Sequence, residues 1–379
     1  MKKRVAVLLI VIIVLLGCAV EEKEPTPVYV TFYSHNEESW DTLVATEPQY
    51  IQYRQNLLER LHIIKKYNAT LNWQSDWAVL EAIKKYDKGT ILESTNGKNI
   101  VRYMEEDLSF SVDPHAHLTI YNYADLAYLI EQLGGSSTVV GGLQYVRCGQ
   151  GRELEYIDWR EHIDVQDDGY IYGSVYPEVK WKPEIIAVPA FAGHWFDEFS
   201  SGVWRPGIED EFYEHDAQNS ITYVGQGYPF DTTLHGQRSR GAQIFAKDAA
   251  YIKELVQKIQ SGDVPQGELY TASLFITDFK TSGDVDVNEG VQAVLEELQP
   301  YVERGGIIYA DYETVAQLWE TEYNSEPNTV SLDEFSFYPQ IWSQVTEYCM
   351  KDSSARGTCG DGECDALEKD TQQCPDDCR

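Results

Sequence analysis

Apolar positions along the chain follow two rhythms in turn. Short runs of β-branched and aromatic residues are followed by longer stretches in which apolar positions return every three to four residues. Residues 28–33 (Val28-Tyr29-Val30-Thr31-Phe32-Tyr33) read as a strand. Residues 52–67 read as a helix with Leu57, Leu58, Leu61 and Ile64 on one side. Next come a strand at 69–73, a helix at 76–86 with Val79, Leu80 and Ile83 inward, a short helix at 100–106 and a strand at 108–112. An amphipathic helix at 122–133 is closed by Gly134-Gly135, a good helix stop, and a strand and turn follow at 138–142. The pattern blurs from 143 to 197, apart from a strand at 185–189. It sharpens again in a strand at 220–225, a helix at 247–261 and a strand at 269–276 that runs into Thr277-Asp278. A helix at 287–304, interrupted near Pro300 and stopped by Gly305-Gly306, leads to a last strand at 307–310 and a last helix at 313–319. Strands alternating with helices predict a parallel α/β sheet or barrel.

Polar residues gather where two of these strands end. The strand at 108–112 delivers Asp113-Pro114-His115-Ala116-His117. In extended chain every second side chain points the same way, so Asp113, His115 and His117 share a face. Two imidazoles and a carboxylate suit Zn²⁺ or another divalent transition metal. Pro114 is tolerated at a strand end, which is where α/β enzymes keep their chemistry. The competing reading is a surface loop that happens to hold two histidines. The first strand ends in Ser34-His35-Asn36-Glu37-Glu38. His35 and Glu37 have ligand chemistry, and Glu37 or Glu38 can serve as a base. A helix N-cap with an acidic first turn accounts for the same residues. The isolated His215 and His235 read as surface or packing residues rather than ligands.

The amino terminus looks like a targeting segment. Met1-Lys2-Lys3-Arg4 is basic, and an apolar run too short to span a bilayer ends in Leu15-Leu16-Gly17-Cys18. This resembles the lipobox of secreted lipoproteins. The resemblance implies removal of residues 1–17, lipidation of Cys18 and a membrane anchor on the extracellular side of the cytoplasmic membrane. A plain signal peptide or uncleaved anchor is the alternative. Residues 18–27 form a polar tether. The chain of 379 residues carries a formal net charge of −32, which argues against nucleic acid as a partner. Its 26 Tyr and 9 Trp are a high aromatic load of the kind that lines sugar grooves, although most aromatics in a large domain are core.

Taken together, residues 28–322 resemble the polysaccharide deacetylase (NodB-like) family of carbohydrate esterases. The first strand ends in a polar site at 34–38, and a later one in Asp113-Pro114-His115-Ala116-His117. A third segment carries Val203-Trp204-Arg205-Pro206. The end reads as helix, Gly305-Gly306, strand and helix. The resemblance implies a deformed (β/α) barrel of about seven strands, with a divalent metal, Zn²⁺ foremost, held by a carboxylate and two imidazoles. Here the ligands are some combination of His35, Asp113, His115 and His117. In such an enzyme metal-bound water attacks an acetamide carbonyl. A carboxylate such as Glu37 or Glu38 takes the proton, and Arg205 holds that base or the substrate. The chain also departs from the family. Paired aspartates are replaced by residues 34–38, the two histidines are closer together than usual, and the late strand ends in Thr277-Asp278 where the family has a histidine. A divergent metal-dependent hydrolase at the cell surface, acting on cell-surface or environmental polysaccharide, is therefore expected. A non-catalytic glycan-binding lipoprotein is one alternative. A glycosidase pairing Glu37 or Glu38 with Asp278 is another, given a suitable separation.

Residues 323–356 read as a connector and residues 357–379 as a separate unit. Cys359, Cys364, Cys374 and Cys378 lie close together in a segment too small for its own core, which outside the cell reads as two disulfides. The unit resembles the Cys-Gly-Asp-Gly-x-Cys modules that end many surface proteins. Its acidic residues offer a Ca²⁺ site or simply a solvated face. A Cys₄ zinc site is a further option. Cys148 and Cys349 remain as a candidate pair tying the tail to the barrel.

Overall fold

The computed structural model describes residues 25–36, 44–116, 121, 123–136, 138–145, 175–176, 178–191, 200–207, 214–227, 242–276 and 287–331. The expected alternation is present. β1 (Val28–Asn36) is followed by α1 (Glu47–Lys66), β2 (Leu71–Ser75), α2 (Trp77–Tyr86), α3 (Ile100–Glu106), β3 (Ser111–Ala116), α4 (Tyr123–Gln132) and β4 (Val140–Tyr145). Then come β5 (Ile185–Phe191), β6 (Ser200–Trp204), β7 (Thr222–Val224), α5 (Ala242–Ser261) and β8 (Tyr270–Phe275). The described chain closes with α6 (Val287–Val302), β9 (Ile307–Tyr309), α7 (Tyr312–Glu322) and β10 (Asn328–Ser331).

Local chemistry sets the helix ends. α1 starts with a capping box between Thr46 and Gln49 and has Pro48 in its first turn, where no amide partner is lost. Asp76, directly after β2, accepts the Trp77 amide at 2.6 Å and starts α2. Asp311 does the same for α7 through the Thr314 amide, at 2.7 Å. α6 runs through Pro300 to Val302 rather than breaking there.

The strands form one ten-stranded sheet among the described residues, in the order β10-β6-β7-β5-β4-β3-β2-β1-β8, with β9 also pairing β1. It curls into a nearly closed, deformed (β/α) barrel. β8 pairs with β1 along Val28 to Tyr33. The other edge of β1 is shared by β9 at Val28 to Val30 and β2 at Phe32 to Asn36. β6 runs antiparallel to β7, and β10 pairs antiparallel with β6. The seam beside β8 is made largely by side chains. The Thr271 amide donates to Ser201 Oγ at 2.6 Å, the Gly202 amide donates to Thr271 Oγ1 at 2.8 Å, and the Ser273 amide donates to Gln226 O at 2.7 Å. Gly202 is required there. Its φ is +106°, and a Cβ would stand 1.6 Å from the Asn328 carbonyl oxygen.

The sheet extends past residue 322, because β10 comes from the segment read as a connector. β2 reaches Ser75, beyond the apolar run at 69–73, because its polar residues Gln74 and Ser75 continue the ladder with β1 and β3.

The core has two layers. Outer-face residues such as Phe32, Leu71, Val112 and Leu274 pack under helix residues such as Leu57, Leu61, Ile130 and Leu295. Inner-face residues Tyr33, Val140, Ile185, Ala187, Val203 and Val224 pack against Tyr312, Val315, Ala316 and Trp319 of α7. α7 therefore plugs the end of the barrel where the parallel strands begin. Tyr312 donates to Ser273 Oγ at 3.0 Å, and Thr31 Oγ1 donates to the Ala310 carbonyl at 2.6 Å.

Candidate functional site

The other end of the barrel, where the parallel strands finish, gathers the buried polar residues. In register, His35 of β1 stands opposite Gln74 of β2, and Gln74 opposite Asp113 of β3. His115 stands opposite Gly142 of β4. Period-two alternation explains the grouping: Tyr33 and His35, Asn72 and Gln74, and Asp113 and His115 form consecutive same-face pairs. Backbone and side-chain bonds lock the strand ends. The Asp76 amide donates to Asn36 O at 2.8 Å, Asn36 Nδ2 donates to Gln74 O at 3.0 Å, and Tyr53 donates to Asn36 Oδ1 at 2.9 Å.

His35 and His115 meet across β2. Their ring centroids are 3.8 Å apart and the planes differ by 18°, so the imidazoles stack. Both residues are buried. Phe275 of β8 and Tyr33 flank His35, at 5.8 and 5.2 Å between centroids, and form an apolar wall on that side.

Asp113 shares the face of His115, as the alternation predicts, and is fully buried. Its carboxylate is wrapped by protein donors. Thr138 offers its amide (2.8 Å) and hydroxyl (2.8 Å) to Oδ1, and Asn72 Nδ2 donates to Oδ2 at 2.6 Å. Burial pushes its pKa up to about 7, against the lowering effect of the Thr138 and Asn72 hydrogen bonds. Asp113 thus supports the strand that carries His115 and spends its oxygens on Thr138 and Asn72. Asn72 in turn accepts from Gln74 Nε2 at 2.5 Å. Gln74 and Gly142 are site residues that sequence reasoning missed. Neither an isolated Gln in a strand nor the second Gly of Gly141-Gly142 carries a motif.

The donor chemistry suits a divalent ion, because two imidazoles from different strands are brought together on the inner face. The stacking sets a condition. An imidazole binds a metal through an in-plane lone pair at about 2.0–2.1 Å. Two rings only 18° from parallel aim those lone pairs side by side, so one of them has to turn for both to meet one ion. Among the described residues no group of three His, Cys, Asp or Glu side chains converges as a metal cluster.

Arg205, expected to hold the base or the substrate, is placed away from the His35–His115 pair. Trp204 pairs with Tyr223 in the short strand β7, and β6 runs against its neighbours. The chain therefore leaves β6 where the parallel strands begin. There the Arg205 guanidinium lies over the Trp319 ring at 5.7 Å, and its amide donates to His215 Nδ1 at 3.2 Å. His215 packs edge-on against Trp319 at 6.2 Å, and burial followed by the Arg205 charge lowers its pKa. It is a packing residue, as expected from the sequence.

Several expected site residues lie outside the described residues: Glu37, Glu38, His117 and Asp278, together with Cys18, Cys148, Cys349, Cys359, Cys364, Cys374 and Cys378. The same holds for the signal segment, most of the tether and the C-terminal module.

No family model matches the sequence, and no curated protein matches it. Two solved structures are similar in fold. One is the 4-alpha-glucanotransferase from Thermococcus litoralis, at 12% identity and a TM-score of 0.41, covering 77% of this chain and 40% of that one. The other is a protein from Mycobacterium smegmatis described as a polysaccharide deacetylase, at 10% identity and a TM-score of 0.43, covering 83% of this chain and 98% of that one. This chain thus spans less than half of the glucanotransferase and nearly all of the Mycobacterium protein.

Proposed function

We propose that this chain is a hydrolase of carbohydrate, a divergent deacetylase-like enzyme displayed outside the cell on a lipidated Cys18, with its reaction centre at the His35–His115 pair. One observation carries this reading. Two histidines from the ends of β1 and β3 come together at 3.8 Å on the inner face of the barrel, at the end where such folds keep their chemistry.

His35 and His115 would hold a divalent ion, with His117, two residues further along the sequence, as the third donor. When bound, the ion supplies a water acidic enough to attack an acetamide or ester carbonyl at neutral pH. The remaining work falls to the chain. Phe275 and Tyr33 pack against His35 and cover that side of the ring. Asp113, fixed by Asn72 and Thr138, sets the position of the strand that carries His115. Glu37 or Glu38, just beyond His35 in the chain, takes the proton.

A second reading is a glycan-binding protein without catalysis. The stacked imidazoles and the fully engaged Asp113 carboxylate favour it. Four measurements on the purified full chain separate the readings. Stoichiometric metal and acetate release from acetylated glycans support the hydrolase. New reducing ends without acetate indicate a glycosidase, with Asp278 as one carboxylate. Saturable glycan binding with neither product leaves the binding protein.

A further inference from the structure

The buried polar network beside the histidines has a fixed direction. Asp113 Oδ1 accepts both the amide and the hydroxyl of Thr138. With Asp113 ionised, its other oxygen faces Asn72, which therefore presents its amide nitrogen, at 2.6 Å. The Asn72 oxygen is then turned to Gln74, which presents Nε2 at 2.5 Å. Each amide orientation follows from the one before, so the Gln74 oxygen must face away from Asn72. Oε1 is buried and receives no hydrogen bond. A buried carbonyl left unmet is costly and calls for a donor.

The place that Oε1 occupies names the donor. It lies over Gly142, where an added Cβ would stand 1.9 Å from Oε1 and 2.7 Å from His115 Nδ1. The two atoms share one niche, and the missing side chain of Gly142 keeps it open. We infer that Gln74 is a positioning residue: the two groups are not bonded to each other as they stand, and a small turn of the His115 ring or the Gln74 amide lets Oε1 accept the Nδ1–H of His115 and hold the neutral imidazole in that tautomer. The lone pair of His115 is then at Nε2, which makes Nε2 the atom that meets an ion or a substrate. An outer hydrogen bond that fixes the tautomer is a general way to orient a working histidine. The relay runs from Thr138 through Asp113, Asn72 and Gln74 to His115. This assignment deepens the hydrolase reading above and rests on it for its purpose, but the tautomer is measured without any activity.

The test is long-range proton–nitrogen NMR of the full chain labelled with ¹⁵N-histidine, with the His115 signals identified by their loss in His115→Ala. Wild type is expected to show the Nδ1–H tautomer. Gln74→Leu, which keeps the bulk and removes the acceptor, is expected to lose that preference, and Gln74→Glu to keep it. A wild-type Nε2–H tautomer overturns the inference, and so does an unchanged tautomer in Gln74→Leu. Where Gln74→Leu fails to fold, the wild-type and Gln74→Glu spectra still decide. Acetate release is measured in parallel. If it occurs, Gln74→Leu lowers metal affinity or kcat about 10- to 100-fold, and Gln74→Glu restores most of it. No acetate together with the expected tautomer sinks the hydrolase reading and leaves the Gln74 assignment standing.

Discussion

At the end of the barrel where the parallel strands begin, polar groups are spent on architecture. Thr31 is bonded to the Ala310 carbonyl and Tyr312 to Ser273, while Arg205 and His215 pack on Trp319. At the other end, His35, Gln74 and His115 gather on the inner face, steadied by a network that ends in Asp113 and Thr138. Both ends hold a histidine beside aromatics. The difference lies in strand direction and partners. β6 runs against the sheet and carries Arg205 to the plugged end, whereas β1 and β3 run with it and carry their histidines to the mouth. Residue type alone does not make a site; placement at a strand's carboxyl end, backed by a directed network, does.

This contrast can be broken in graded ways. The largest effect is expected from Trp319→Ala. Trp319 is fully buried in the plug and donates from Nε1 to the Glu326 carbonyl at 2.6 Å. Its loss should cost about 3–5 kcal/mol in denaturant unfolding, with the rate per folded molecule unchanged. Gly142→Ala comes next. The new Cβ meets Gln74 Oε1 and His115 Nδ1, which should cost about 1–3 kcal/mol and displace both groups. Here acetate release per folded molecule should fall, the opposite of Trp319→Ala. Arg205→Ala should cost about 0.5–2 kcal/mol through its lost contact with Trp319 and leave hydrolysis unaltered. A hydrolysis defect in this variant would place Arg205 back at the reaction centre.

A separate prediction concerns pH. Glu105 on α3 accepts the Ser136 amide, and partial burial raises its pKa from 4.5 to about 7. The folded state therefore holds a proton that the unfolded chain has already lost between these values. Its contribution is full below pH 4.5 and fades as pH rises through 7. Wild type should lose stability relative to Glu105→Gln across that window. Parallel unfolding curves for the two proteins would contradict the shift.

The sequence makes much of this legible. The alternation of strand and helix patterns gives the barrel, and period two in β3 puts Asp113 and His115 on one face. The polar end of the first strand points to His35. Three things stay hidden, each for a physical reason. The direction of β6 is a tertiary property that no local pattern in Ser200-Ser201-Gly202 records. The roles of Gln74 and Gly142 arise from register across three strand pairs, and neither residue has ligand chemistry of its own. Asp113 looks like a ligand in sequence because carboxylates bind metals, but Asn72 and Thr138, distant in the chain, claim its oxygens once folded.

The central claim is that the mouth of the barrel, at His35 and His115, is where chemistry occurs. The most direct measurement is acetate release from an acetylated glycan by wild type, His35→Ala and His115→Ala, each supplied with Zn²⁺ and shown to be folded. Wild-type release, with a fall of roughly 10²- to 10³-fold in both variants, is the expected result, in line with removing a group that directly serves the transition state. Equal rates in all three proteins would contradict it.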